Sequence, residues 1–199
     1  MTAIKYIGYH GTDKERLEKI ECSGFLPSYS QNTLPCDLGH GVYMYISRPE
    51  FNKECPKENA EKYLTTFKPR YINPIILEIT TRIKNEKLLN LNEPANQNVF
   101  LEFKKLNLEK IKRKFSELDD SRTKRRGKAD GLILELLINN MSIEVDAIIK
   151  DTYTPLDFDG YRQSNIYNGR ELCLRNLKNI EKYEVSWLGC LYFCGIINL

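Results

Sequence analysis

Three short segments, far apart along the chain, carry residue types suited to chemistry. The first is Tyr9-His10-Gly11-Thr12, read as a strand end turning into a helix. A histidine there stands at the rim of a sheet, where side chains reach a cleft, and Gly11 lets a ligand approach the backbone closely. The second is Leu38-Gly39-His40-Gly41-Val42-Tyr43-Met44-Tyr45. Its paired glycines predict a flexible bend ahead of a strand that alternates Tyr43 and Tyr45 onto one face. Such a face stacks on a flat heteroaromatic ring, with an added cation–π attraction if the ring is positively charged; a pair of core tyrosines has the same pattern. The third is Asn168-Gly169-Arg170-Glu171-Leu172-Cys173-Leu174-Arg175. Alternation sets Glu171, Cys173 and Arg175 on one face and Leu172 and Leu174 toward the core, so a carboxylate opens a strand directly after a Gly-containing loop.

The elements that must position these residues follow from pattern and punctuation. Ile4–Tyr9 predicts a first strand, and Thr12, with Glu15 three residues on, predicts the capping of a helix with Leu17 and Ile20 on its apolar face and Gly24 at its end. Gly41–Ile46 predicts a second strand and Lys57–Phe67 a helix, closed before Asn73-Pro74. Ile75–Ile83 is the clearest strand, with a short one at Lys87–Leu91. From about Ala95 to Leu118 the chain reads as helical, with Leu108, Ile111, Phe115 and Leu118 sharing one face. Asp119–Lys128 has no apolar residue and reads as a solvated loop. A helix at Asp130–Met141 and strands at Val145–Tyr153, Glu171–Arg175 and Lys182–Trp187 complete the order, with a polar loop at Thr154–Gly169. Strands gather around a few helices without regular alternation, which predicts one α+β domain over residues 1–199.

Composition excludes several classes. The 199 residues are 41% hydrophobic and 29% charged, as in an ordinary globular domain. No apolar run approaches the length of a membrane span. The first residues, MTAIKYIGYHGTDKE, hold no apolar leader, and the six cysteines form no framework, so the expectation is reduced thiols in a cytoplasmic protein. The net charge of +3 conceals an asymmetry: Lys104 to Lys128 holds eleven Lys or Arg against four acidic residues. That leaves the rest of the chain slightly acidic.

In order and context, the three segments resemble the His-Tyr-Glu class of ADP-ribosyltransferases, which includes diphtheria-type toxins, poly(ADP-ribose) polymerases and bacterial toxin–antitoxin enzymes. The resemblance implies two small antiparallel or mixed sheets flanking an NAD+ cleft, with peripheral helices. It implies that His10 bonds the ribose of NAD+, that the Gly11 backbone holds the nicotinamide amide beside Thr12, and that Tyr43 lines the nicotinamide pocket. A second pocket tyrosine is either Tyr63, on the following helix, or Tyr45. Glu171 matches the catalytic glutamate, and the loop ahead of it, with Tyr161, Arg162, Gln163 and Tyr167, takes the place of acceptor recognition. The basic stretch at about 95–128 reads as an insertion. A mono-ADP-ribosyltransferase follows, bacterial or phage and toxin-like, with an antitoxin as a further partner. The alternatives are an NAD+ glycohydrolase with the same site and a non-catalytic, basic nucleic-acid-binding module.

The chemistry agrees. Cleaving the nicotinamide–ribose bond leaves an oxocarbenium-like sugar, which one carboxylate stabilises in the transition state, and nicotinamide departs neutral without a general acid. The Lys104–Lys128 run suits a solvated helix face and loop first and a nucleic-acid acceptor second. Cys36, His40 and Cys55, or Cys190 with Cys194, fit no tetrahedral spacing, so the reading includes no metal. The apolar stretch 187–199 reads as a buried last strand, with an antitoxin or oligomer contact second.

Overall fold

The computed structural model describes residues 2–26, 34–51, 55–118, 129–156 and 164–186. The expectations for the loop 119–128, for Tyr161, Arg162 and Gln163, and for the apolar stretch 187–199 lie outside the described residues. Seven strands run in the order β4-β5-β6-β2-β1-β3-β7 within one mixed sheet. They are β1 Ala3–Asp13, β2 Val42–Ile46, β3 Pro74–Lys84, β4 Leu88–Asn90, β5 Ala147–Thr152, β6 Gly169–Leu174 and β7 Ile180–Ser186. The β4–β5 pair is parallel and every other pair antiparallel. Five helices accompany them among the described residues: α1 Lys14–Ser23, α2 Pro56–Phe67, α3 Pro94–Leu106, α4 Leu108–Glu117 and α5 Asp130–Met141.

The α+β class is thus observed, but the described strands make one sheet where two were expected. The halves are joined by a narrow seam. β1 pairs with β3 along eleven residues, from Ala3↔Lys84 to Asp13↔Pro74, yet meets β2 at only Gly8↔Ile46 and Tyr9↔Tyr45. The first helix also starts differently. β1 continues to Asp13, whose carboxylate accepts from the Arg16 N–H at 2.9 Å, so Asp13 and not Thr12 is the N-cap. Thr12 is instead a buried strand residue. The predicted helix over 95–118 is broken at Asn107 into α3 and α4, and Leu108 stays exposed while Ile111 and Leu118 are buried.

Alternation sorts the core onto the two faces of the sheet. One face carries Val42, Met44, Ile46, Leu77, Ile79, Leu172 and Leu174, with Leu17 and Ile20 of α1 packed against it. The other carries Ile148 and Cys173 under Leu134 and Leu137 of α5, and Tyr45 and Ile76 under Ala60 and Leu64 of α2. α5 is apolar nearly all round because it is enclosed, its far side meeting Leu34 and Leu118.

The turn before β2 is tight rather than flexible. Gly39 has φ 87, which favours glycine, and a side chain there would run into the Glu135 carboxylate. A Cβ on Gly41 would come 2.5 Å from the Leu174 carbonyl oxygen. Gly131, in the first turn of α5, sits against the Cys36 carbonyl of the same turn. Gly131→Ala therefore sets two effects in opposition: about 1 kcal/mol of helix propensity in favour and an overlap with backbone against, costing about 1–3 kcal/mol. The overlap is expected to win and lower the urea midpoint; a raised midpoint would show that the turn moves aside.

Candidate active site

The main chain opens between β1 and β2. Asn85 N–H donates to the Thr2 carbonyl at 3.1 Å and Lys14 N–H to the Asn73 carbonyl at 3.0 Å, extending the β1–β3 ladder at both ends. These bonds mark even-numbered β1 residues as those whose N–H and C=O face β3, so Tyr9 and Gly11 direct theirs toward β2. Tyr9 meets Tyr45 there; beyond it the strands pair no further. The N–H and C=O of Gly11 consequently face the gap. On its side-chain side, Gly11 is closed by the protein itself, since a Cβ would lie 2.6 Å from Leu64 Cγ. What Gly11 offers a ligand is its backbone edge.

His10 bridges the same gap. Its Nδ1 stands 2.7 Å from the Tyr43 carbonyl oxygen, and a carbonyl only accepts, so Nδ1 carries the proton and Nε2 of the neutral ring presents a lone pair. Burial lowers the His10 pKa, the Tyr43 bond works the other way, and Arg16 and Lys68 add to the lowering. The ring is thereby held as a neutral acceptor.

Tyr43 does not present its hydroxyl for chemistry. That group donates to the Gly39 carbonyl at 2.9 Å and accepts from the Leu38 N–H at 2.8 Å, and its burial raises the pKa far above the ordinary phenol value. Its partly exposed ring is a wall beside Leu38 and Cys173. The turn itself is tied to α5 and β6 by Glu135, which accepts from the His40 N–H at 2.8 Å and pairs in two-pronged fashion with Arg175. Burial works to raise the Glu135 pKa, but Arg175 and the His40 N–H hold it below the usual range.

Glu171 occupies the Tyr face. It is directly opposite Tyr45 on β2 and opposite Lys150 on β5. Tyr45 is 6% exposed, and its hydroxyl lies next to Thr154 and Glu171 without a well-formed hydrogen bond to either. Burial and then the Glu171 charge push its pKa up. Tyr45 is therefore a buried neighbour of the carboxylate, and Tyr63, partly exposed on α2 and tilted against Phe67 with ring centroids 5.1 Å apart, has the more accessible ring. By alternation His10 belongs to the α1 face and Glu171 to the α2–α5 face. They lie two strands apart, roughly 10 Å between backbones, with their side chains on opposite faces, so the structure does not bring His10 and Glu171 together as the sequence reading expected.

Several contributors were not legible beforehand. Tyr9 donates to Glu78 at 2.9 Å, and burial together with Glu78 pushes its pKa up to about 12. The stem of the loop ahead of Glu171 is closed by Asn168, which donates to the Thr154 carbonyl and accepts from its N–H, at 2.7 and 2.9 Å. Arg48, Asp151 and Arg170 form a buried ion cluster on the opposite face. None of these has a sequence signal beyond an ordinary polar residue in or near a strand. Two surface hollows lie elsewhere, one at Asp13, Lys14, Arg70 and Asn73 and one at Leu89, Val99, Phe100 and Leu137. Neither is lined by His10, Tyr43 or Glu171; what the seam shows is a stop in main-chain pairing after Tyr9↔Tyr45.

The basic segment is partly neutralised where it is described: Lys112 pairs with Glu109 and Lys114 with Glu117 on α4. No family model matches the chain, and no curated protein and no solved structure matches it either.

The His10 geometry sets a pH dependence. A histidine whose folded pKa lies below its unfolded value of about 6.5 takes up its proton more readily when unfolded. Stability is therefore expected to fall as pH drops from about 6.5 toward the folded value, with His40, also lowered by burial, contributing its own share. His10→Asn keeps a donor for the Tyr43 carbonyl and cannot titrate. It should flatten this part of the stability–pH curve; a curve superposable on the wild type would remove His10 as its source.

Proposed function

We propose that the protein cleaves NAD+ at the nicotinamide–ribose bond and transfers ADP-ribose to a macromolecular acceptor, as a mono-ADP-ribosyltransferase. The observation that carries the reading is the seam. A strand edge left unpaired at Gly11 offers one N–H and one C=O side by side, which matches the donor and acceptor of a carboxamide such as that of nicotinamide. The Tyr43 and Tyr63 rings supply flat surfaces near it for a cationic pyridinium. NAD+ is a substrate in this reading, consumed in each turnover.

Each residue then has a distinct task. The Nε2 lone pair of neutral His10 accepts from a ribose hydroxyl on the far side of the opening, and the separation of His10 from Glu171 suits the two sugars of a dinucleotide threaded through the seam. Glu171 stabilises positive charge that develops on the nicotinamide ribose as the C–N bond breaks, an interaction stronger in the transition state than in the ground state. The electron pair of that bond goes to the ring nitrogen, so nicotinamide leaves neutral. Tyr45, directly opposite Glu171 on β2, walls the carboxylate on that side.

Glu171→Gln keeps the shape and removes the charge. Nicotinamide release from NAD+ is expected to fall by about 10²–10³-fold, the scale of losing one electrostatic contact to a transition state, with an unchanged circular dichroism spectrum. Undiminished release would take Glu171 out of the mechanism. His10→Asn should mainly raise KM, because the shorter side chain withdraws the acceptor that Nε2 presents to bound substrate in ground and transition states alike. Adenylate-labelled NAD+ separates the transferase from a glycohydrolase: label on macromolecules supports transfer, and only free ADP-ribose supports hydrolysis.

A further inference from the structure

The two edges of the sheet are finished differently. At one end β4 has three residues, and α3 closes it: Asn96 and Gln97 donate to the carbonyls of Asn90 and Leu91 at 2.8 and 2.7 Å. At the other end β7 has seven residues and, among the described residues, no strand on its outer side. Even-numbered residues of β1 bond to odd-numbered residues of β3, as in His10↔Leu77. Ile76, Glu78 and Thr80 therefore turn their N–H and C=O toward β7, where they meet Ser186, Glu184 and Lys182. Tyr183 and Val185 direct theirs outward. Such a row of main-chain donors and acceptors is a template for another strand.

The side chains along this edge suit a particular strand. On the α1 face, Phe25 and Tyr183 meet edge to face with centroids 5.4 Å apart. Ile180, Tyr183 and Val185 extend the core to the edge but are only partly buried there, and Leu26, next to Phe25, is 71% exposed. On the other face, Lys182 and Glu184 are exposed, and Lys182 donates to Glu184 at 2.7 Å. Glu184 also stands directly opposite Glu78 of β3, a like-charge pairing that costs stability. Charges on an edge strand normally discourage pairing. These two are arranged so as to restrict it to one register.

We propose that β7 is a dimer interface, pairing antiparallel with β7 of a second copy of this chain about a two-fold axis at Tyr183. In that register Lys182 lies opposite the partner's Glu184, and Glu184 opposite the partner's Lys182. Each Glu184, already facing Glu78, gains a second cation. An axis at Lys182 would oppose two ammonium groups, and an axis at Glu184 two carboxylates. With the axis at Tyr183, the outward N–H and C=O of that residue bond those of the partner's Tyr183, completing a main-chain pair. The Phe25–Tyr183 contacts of the two copies join into one apolar strip on the α1 face, and the two sheets become continuous. A surface complementary to itself under a two-fold is what a closed dimer requires.

Sedimentation equilibrium of the full chain tests this, with a monomer–dimer equilibrium as the expected result. Lys182→Glu and Glu184→Lys should each raise the dimer dissociation constant by about tenfold or more, because each sets like charges across the axis. An equimolar mixture of the two variants should regain dimer, since every cross-axis pair is again of opposite charge. The double variant Lys182→Glu/Glu184→Lys, which exchanges the charges, should dimerise by itself, and circular dichroism checks that each variant is folded. A wild-type chain that is monomeric at every concentration would overturn the proposal, whether the edge is solvated or covered from within the chain. So would a dimer indifferent to both single variants, a mixture of them that stays monomeric, or a charge-exchanged chain that does not dimerise.

Discussion

The contact between the His10 imidazole and the Tyr43 carbonyl takes over where the main-chain ladder between β1 and β2 stops. Two strands that diverge must leave backbone groups without sheet partners, and such groups are costly unless something else satisfies them. Here one carbonyl is satisfied by a side chain, which also fixes the tautomer of that side chain. The N–H and C=O of Gly11 remain directed at the opening. The same local break in pairing thus leaves the main-chain donor and acceptor of Gly11 and fixes the neutral imidazole lone pair.

The rest of the structure keeps this opening in register with Glu171. A slip of β6 by one residue would carry Glu171 to the opposite face and bring a leucine to the slot. Two charge clusters act against that slip at either end of the strand. Arg170 pairs with Asp151 on the α1 face at 2.6 Å, while Arg175 pairs with Glu135 of α5 on the other. Pairs of this kind contribute modestly to net stability, because desolvation offsets most of the attraction, but breaking one strands a charge. Their use here is to specify which residue faces which way. The Glu135 cluster also holds the Gly39–His40 turn, and through it the Tyr43 hydroxyl, so β6 and the seam are positioned by one set of contacts.

Much of the element order is visible in the sequence because it depends on short-range signals. Ile75–Ile83 is rich in β-branched and apolar residues, and the helix at 130–141 is mostly apolar around Glu135, so both follow from composition and period. The site is legible only as a set of motifs. Gly39 and Gly41 suggest flexibility when read locally, yet each is required by a tertiary contact, with Glu135 and with the Leu174 carbonyl. Gly11 suggests an opening for a ligand over its Cα, and that space belongs to Leu64; its availability lies in the plane of the sheet, which depends on where a partner strand ends. Thr12 and Asp13 are both good caps, and the long β1–β3 pairing decides for the second by drawing Thr12 into the strand. The expected two sheets and the observed single one differ by two residue pairs, Gly8↔Ile46 and Tyr9↔Tyr45, which no single-strand pattern encodes.

The central claim is that a dinucleotide occupies the seam between β1 and β2, and amide hydrogen exchange with the uncleavable carbocyclic analogue of NAD+ tests it most directly. Saturating ligand is predicted to slow exchange at Gly11 and along the Gly41–Tyr45 segment, leaving the hollow near Leu89 and Val99 unchanged. Protection confined to that hollow, or no change at Gly11, would contradict the account.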